Sequence, residues 1–353
     1  MSPTAEPRPG LRDIAPYASP QLDVEIRLNT NECPHPLPEG FTRDLAETVR
    51  TLPLNRYPDG QMTRLREDLA GRVDHPVDGT WTANGSNEVL TELLLAYGGP
   101  GRTAVVFEPT YMLHSRLSWV THTQLEALRI EPPFVIGDDA VKQAVAAKPD
   151  VVFVCSPNNP TGNAQPLEVT RTLAEAVDAL VIVDEAYVEF GGQTALSLVA
   201  DHPNVVIVRT LSKAFALAGA RIGYSLSSPA VVQDLKRVRL PYHMSTITQA
   251  AGITALHHAD DAMRILDSVR EQRNRIITTL GGMAGLTVYP SDANFVLFVP
   301  PAEKPAKEVW QGLIDRGVLI RDLTGVIPEA LRVTAGTEHE TTRFLEALGE
   351  ILG

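Results

Sequence analysis

Residues Thr210 to Tyr224 read TLSKAFALAGARIGY, and the fold and chemistry of the chain turn on them. Just upstream, Asn204 to Val208 (NVVIV) is a short β-branched run, the mark of a buried strand. Lys213 therefore sits where a strand ends. The hydroxyls of Thr210 and Ser212 precede it, and the fixed cation Arg221 follows eight residues later. A lysine that forms a Schiff base beside a phosphate needs such a setting. Its amine must be held near a carbonyl, and Ser212 and Arg221 can take phosphate oxygens through charge-assisted hydrogen bonds. The competing reading is a lysine that opens an ordinary surface helix, and the stretch alone does not separate the two.

Working outward, the chain alternates between strand and helix. Strands read at Ala104–Phe107, Val151–Val154, Leu180–Val183, Val205–Val208 and Ile222–Leu226, with helical stretches such as Pro166–Val177 between several of them. This predicts an α/β fold with a mostly parallel sheet and helices on both faces. Ligands of such sheets bind at the carboxyl ends of the strands, and Asn159, Asp184 and Lys213 each follow a buried strand. Residues 1–40 are proline-rich and read as an arm that wraps over something else. Helices over Gly40–Leu52 and Met62–Arg72 flank the Pro-Asp-Gly turn of Asn55–Gly60. After Pro241 a long helix, Asp260–Leu280, leads to strands at Ala293–Val299, Gly317–Arg321 and Ala330–Thr334, mixed with helices over 303–316 and 338–352. That is a small α+β lobe. The expected division is an N-terminal arm (1–40), a large ligand-binding domain (41–245), and a linking helix with a small domain (246–353).

Composition narrows the function classes. A formal charge of −12 over 353 residues argues against a nucleic-acid or membrane-surface partner, since either favours a basic face. Cys33 and Cys155 are too few for a disulfide framework and fit a reducing cytoplasm. The opening MSPTAEPRPGLRD lacks an apolar core, so no signal peptide is expected, and no run approaches a membrane span in length.

Three further stretches carry chemistry. Gly85-Ser-Asn-Glu88 follows a strand end at Trp81-Thr-Ala and opens the apolar helix Val89–Ala96. Free amides at a helix start make an anion site, although an ordinary N-cap by Ser86 explains the same residues. Ser156-Pro-Asn-Asn-Pro-Thr-Gly162 is a proline-fixed loop presenting Asn158 and Asn159; a plain turn explains its prolines better than its asparagines. Asp184-Glu-Ala-Tyr187 puts a carboxylate at the tip of an apolar strand. A magnesium-holding acid there would need a G-x-x-x-x-G-K-[ST] loop, which the chain lacks. A carboxylate facing the protonated ring nitrogen of a cofactor is the other reading, and a simple turn cap is the plainest. The chain also has no G-x-G-x-x-G and no H-E-x-x-H. His257 and His258, adjacent on a helix, diverge by roughly 100° and read as solvated surface. Glu338-His339-Glu340 decorates the start of the last helix. One lysine, one strand-end aspartate, an asparagine loop and a phosphate cradle together describe pyridoxal 5'-phosphate.

GSNE, SPNNPTG, DEAY and TLSKAF…ARIGY, in this order and spacing, resemble the fold-type-I pyridoxal-phosphate-dependent aminotransferases. LRDIAPY, NTNE, RYPDG, PYHMST and LIRDLTG…LRVTAGT resemble their histidinol-phosphate aminotransferase branch, so the likeness spans nearly the whole chain. The resemblance implies a seven-stranded, mostly parallel large-domain sheet and a homodimer with its site at the interface. It makes Lys213 the Schiff-base lysine and proton shuttle, and Asp184 the partner of the pyridine nitrogen. Asn159 and Tyr187 would meet the cofactor's phenolic oxygen, with Tyr111 stacked on the ring. Ser86, Asn87, Ser212, Arg221 and Thr210 would cradle the phosphate, joined by Tyr57 from the partner subunit. Arg332 would clamp a substrate carboxylate; Tyr17, Arg321 and Asn31 would face the rest of the substrate. The implied activity is transamination between histidinol phosphate and glutamate or 2-oxoglutarate. Relatives on the same scaffold act on aromatic amino acids or decarboxylate phosphothreonine, and some pyridoxal-binding regulators do not turn over. Those regulators carry a basic DNA-binding domain ahead of the fold, whereas here the pattern begins by residue 14. Cys33-Pro-His35-Pro departs from the branch's usual run near the substrate mouth.

Overall fold

In the computed structural model, described for residues 5, 6, 8, 10–14, 16 and 20–353, the apolar runs of the middle of the chain become the inner strands of one sheet. In chain order the elements begin with strand β1 (Ile26–Arg27) and helices α1 (Glu39–Thr51) and α2 (Thr63–Arg72). Then follow β2 (Thr80–Ala83), α3 (Ser86–Tyr97), β3 (Thr103–Glu108), α4 (Leu113–Val120), β4 (Gln124–Arg129), α5 (Asp138–Ala146), β5 (Val151–Cys155) and α6 (Leu167–Ala176). Next are β6 (Leu180–Asp184), β7 (Val205–Thr210), β8 (Gly223–Leu226), α7 (Pro229–Val238), α8 (Thr246–His257) and α9 (Ala259–Gly281). The chain closes with β9 (Thr287–Val288), β10 (Phe295–Val299), α10 (Ala306–Ile314), β11 (Val318–Leu319), β12 (Arg321–Asp322), β13 (Leu331–Thr334) and α11 (Glu338–Leu352).

The large sheet has seven strands in the order β2-β8-β7-β6-β5-β3-β4. All its pairings are parallel except the two that β8 makes, with β2 and β7. Strands β5, β6 and β7 are buried along their whole length, as a sheet covered on both faces requires. Their carboxyl ends bring Cys155, Asp184 and Val208 into register, so the loops that follow share one edge. A four-stranded antiparallel sheet, β12-β13-β10-β9, forms the second layer system, and β1 pairs in parallel with β11. The segment after β1 is thereby tied to the C-terminal part of the chain: Thr334 N–H donates to Leu28 O at 3.0 Å.

Several expected elements differ in detail. Strand β4 (QLEALR) is a mostly exposed edge, and its charged, non-alternating sequence hid it. The run read as one strand from Gly317 to Arg321 is two, because β11 pairs with β1 whereas β12 pairs with β13. Helix α8, rich in Thr, Ala and Gly, packs on α1 and α2 and gave no amphipathic signal. The N-cap of α3 is Gly85, not Ser86; Glu88 reaches back instead, accepting from the backbone and side-chain amides of Asn84. At the last helix Glu340 does more than decorate the surface. It forms a capping box with Thr337, each side chain accepting the other's backbone N–H. His257 lies beside Asp68, but His258 bridges Asp44 of α1 and Asp261 of α9. No helix among the described residues is long and apolar enough to cross a membrane.

Candidate active site

The first part of the site is a cradle at the start of α3. The leading amides of a helix have no carbonyl one turn earlier, and its dipole favours an anion there. In α3 these amides belong to Ser86 and Asn87. Gly85 has φ +83°, and a Cβ on it would lie 2.4 Å from Arg221 Nη2, so only glycine lets the guanidinium close in. A Cβ on Gly223 of β8 would fall 2.0 Å from the Ser86 nitrogen. Arg221, itself left-handed at φ 54°, donates to Ser212 Oγ at 3.2 Å, and Thr210 Oγ1 lies 2.9 Å from the same oxygen. Two amides, two hydroxyls and a guanidinium thus converge, as a phosphate monoester requires. Tyr111 joins this edge by donating its hydroxyl proton to Asn87 Oδ1 at 3.3 Å.

Lys213 and Asp184 form the second part. Lys213 Nζ donates to Asn31 O at 2.9 Å and Thr30 O at 3.3 Å. Burial, then the positive charges of Arg332 and Arg221, pull its pKa down to about 8, against the opposing pull of Glu32. Asp184, 2% exposed at the tip of β6, accepts from His114 Nε2 at 3.0 Å and from Ala186 N–H at 3.2 Å. The His114 ring is stacked on Phe153, with centroids 4.6 Å apart, and meets Tyr111 edge-on. The carboxylate is therefore fixed from two sides before any ligand arrives.

The third part lies against the four-stranded sheet. Tyr187 is buried edge-on to Phe295, and burial raises its hydroxyl pKa. Asn31 Nδ2 donates to Tyr187 Oη at 3.0 Å. Arg332 lies over the Phe295 ring and donates to Asn159 Oδ1 and to Asn29 O. With its oxygen engaged by Arg332, Asn159 keeps only donors for a ligand. Its neighbour Asn158 is structural: it bonds Pro109 O, Thr161 and Thr110 and locks the loop to the end of β3. Arg321 of β12 stands directly opposite Arg332 of β13 in the antiparallel register, so both side chains rise from the same face.

Most of the expected site residues thus come together within one chain. Tyr57 does not join them: it is 81% exposed and stacked on Tyr242, with centroids 4.6 Å apart. Tyr17 lies outside the described residues. Cys33 is half-buried, and its thiol pKa is raised by burial. Three contributors escaped the sequence reading. His114 sits three residues after Tyr111, one helical turn on, a spacing that was there to be used. Thr334 lies two residues after Arg332 on a strand and so shares its face. Asn294, which donates to Asn31 O at 3.2 Å, carries no local signal.

The family model for aminotransferase class I and II matches residues 23–348. The chain belongs to the class I and II aminotransferases. This aminotransferase is 48% identical over 364 residues to the histidinol-phosphate aminotransferase of Frankia casuarinae, covering 98% of this chain and 90% of that one. It is 47% identical over 358 residues to the enzyme of the same name from Mycolicibacterium smegmatis, covering 98% and 93%. Among solved structures it superposes on histidinol-phosphate aminotransferase from Sinorhizobium meliloti in complex with pyridoxal 5'-phosphate, with a TM-score of 0.83 and 24% identity over 93% and 91% of the two chains. The fold-type-I architecture and the cofactor expected from the motifs both stand, and the cradle at Gly85, Arg221 and Gly223 fits the cofactor's phosphate.

Proposed function

We propose that this aminotransferase exchanges the amino group between histidinol phosphate and 2-oxoglutarate, with glutamate as the counterpart amine. The observation that carries the substrate choice is the register of β12 and β13, which sets Arg321 opposite Arg332. Like charges directly opposite each other on a sheet are unfavourable, and a dianionic phosphate between the two guanidinium forks relieves that repulsion. Glutamate, with two carboxylates, uses the same pair. An aromatic amino acid brings only one anion to the pair. The names of the relatives at 47–48% identity support the same reading.

Bound in the cradle, pyridoxal phosphate supplies an electron sink for the charge left on the substrate carbon. The protein's own residues do the rest. Ser86 and Asn87 amides, the Thr210 and Ser212 hydroxyls and Arg221 would hold the phosphate. Asp184, braced by His114, would face the ring nitrogen, and Tyr111 would pack on the ring. Asn159 and Tyr187 would donate to the phenolic oxygen. Lys213 Nζ would hold the cofactor and, as a free amine, would carry the proton at the substrate carbon. An amine with a pKa of about 8 is divided between base and ammonium near neutral pH, so it can take that proton and return it.

The reading includes a homodimer in which Tyr57 reaches the phosphate of the partner's site. Supporting it, the segments around Leu54–Tyr57 and Leu240–Tyr242 meet at the stacked tyrosines and expose Leu54, Tyr57, Leu240 and Tyr242 together. It also includes the division into arm (1–40), large domain (41–245) and small domain (246–353), Tyr17 as a substrate contact, and a cytoplasmic setting in keeping with the free thiols Cys33 and Cys155. The test is the first half-reaction, followed by the absorbance of the bound cofactor with histidinol phosphate, phenylalanine, tyrosine and phosphothreonine in turn. Histidinol phosphate should convert the cofactor to its amine form fastest. Faster conversion by phenylalanine or tyrosine would make this an aromatic aminotransferase, and carbon dioxide released from phosphothreonine a decarboxylase.

A further inference from the structure

Asn31 uses every polar group it has. Its N–H donates to Thr334 Oγ1 at 3.1 Å, and its Oδ1 accepts from the same hydroxyl at 3.1 Å. Its Nδ2 donates to Tyr187 Oη at 3.0 Å, and its carbonyl accepts from Lys213 Nζ and Asn294 Nδ2. Asn31 and Thr334 are 2% and 3% exposed, so no water competes for these groups. The Asn31 backbone is left-handed (φ 55°), a conformation asparagine tolerates better than other side chains.

The bonds fix directions as well as positions. A side-chain amide can sit either way round, and its partners decide which. One threonine hydroxyl carries one proton. Here that proton goes to Asn31 Oδ1, while the oxygen is taken by the Asn31 N–H. Oδ1 is therefore held toward Thr334, and the amide NH2 is held toward Tyr187. A tyrosine hydroxyl that already accepts from Asn31 has to donate its own proton elsewhere. Were the Asn31 amide turned over, Oδ1 would face Tyr187 and capture that proton.

We propose that Thr334 is a positioning residue: by fixing the orientation of the Asn31 amide, it forces Tyr187 to donate its proton toward the cofactor's phenolic oxygen. The inference rests on the role given above to Tyr187. It also explains why β13 carries Thr334 on the same face as Arg332, so that one strand serves both the anion clamp and the tyrosine. Replacing the hydroxyl by a methyl keeps the volume but removes the one group that distinguishes the two ends of the amide.

The test is a pH titration of the bound cofactor's absorbance, with no substrate present, in wild type and variants. A donor at the phenolic oxygen favours the form with more negative charge on it, so loss of the donor moves the midpoint up. Tyr187→Phe should raise the midpoint by about one unit or more, the scale of one hydrogen bond to a charged oxygen. Thr334→Val should raise it by roughly half a unit, and Thr334→Ser should restore it. In a Tyr187→Phe background, Thr334→Val should add nothing. If Thr334→Val proves too unstable to titrate, Thr334→Ala removes the same hydroxyl and should shift the midpoint in the same direction. The proposal is overturned if Tyr187→Phe shifts the midpoint while neither Thr334→Val nor Thr334→Ala does. A Thr334→Val shift that persists in the Tyr187→Phe background overturns it too, because the hydroxyl would then act by another route. If Tyr187→Phe itself leaves the midpoint in place, the role assigned to Tyr187 falls first and the proposal with it.

Discussion

Gly223→Ala places one methyl group where the phosphate cradle is tightest. Its Cβ would lie 2.0 Å from the Ser86 nitrogen and 2.1 Å from the Gly85 carbonyl carbon, both backbone atoms. Ordinary contact needs about 3.5 Å, so β8 and the start of α3 must part by roughly 1.5 Å. Strand β8 has little room to yield, since Gly223 is in register with Ala83 on one side and Thr210 on the other. The helix start therefore moves, and amides placed to bond a phosphate oxygen are carried out of range. Two charge-assisted hydrogen bonds lost at about 1.5–3 kcal/mol each amount to roughly 3–6 kcal/mol. Pyridoxal phosphate should then bind about 10²- to 10⁴-fold more weakly. Pyridoxal, which has no phosphate, controls for everything else, and its affinity should barely change. Equilibrium binding of the two compounds to the cofactor-free variant, read by absorbance or protein fluorescence, makes the comparison. If both weaken equally, or if the phosphate ester is unaffected, Gly223 is not there to seat the phosphate.

Asp184→Asn keeps size and hydrogen-bonding capacity but removes the charge proposed to face the ring nitrogen; turnover should fall about a hundredfold or more in a folded protein, and near-normal steady-state rates would contradict the assignment. Arg321→Ala should cost histidinol phosphate roughly 2–3 kcal/mol in kcat/KM and phenylalanine much less; equal losses would remove Arg321 from the substrate's phosphate. Mixing inactive Lys213→Ala and Tyr57→Phe subunits should restore activity above either parent, because one site of the heterodimer carries neither defect; no recovery despite proven exchange would place Tyr57 in its own chain's site. Glu92, buried under Trp81 and accepting its Nε1–H at 2.7 Å, has its pKa raised by burial to about 8. The folded state holds this proton more tightly than the unfolded chain, so its contribution to stability is full at low pH and gone once pH passes about 8. Glu92→Gln mimics the protonated form, so its denaturation midpoint should gain on wild type between pH 5 and pH 8 and then level off; a difference independent of pH would refute this.

The large sheet was open to reading because its inner strands open as continuous apolar runs, and burial on both faces confines their polar residues to the carboxyl ends. Asp184 and Lys213 stood out because each interrupts or follows such a run. Strand β4 and helix α8 were hidden for opposite reasons. The first is an edge whose exposed residues need not alternate, and the second is covered on several sides and so has no polar stripe. The split at Ile320 was hidden because β-pairing partners are remote in sequence: β11 meets β1 and β12 meets β13. In the site, the motifs gave the groups that point at a ligand but not those that hold them. His114 behind Asp184 and Thr334 behind Asn31 act through another side chain, and their spacing has meaning only after the neighbouring elements have been placed. Tyr57 is legible as a surface aromatic and no more, because one chain cannot show what a second one brings to it.

Everything above depends on Lys213 being the lysine that takes the cofactor. Reduction of the loaded protein with borohydride fixes the cofactor to its lysine, and peptide mapping by mass spectrometry reads out which one. Lys236 is the informative competitor, since burial also lowers the pKa of its ammonium and it lies on α7, away from Asp184. The pyridoxyl group should be found on Lys213, in the peptide that runs from Thr210 to Arg221. Recovery of the label on Lys236, or scattered over several lysines, would contradict the site described here.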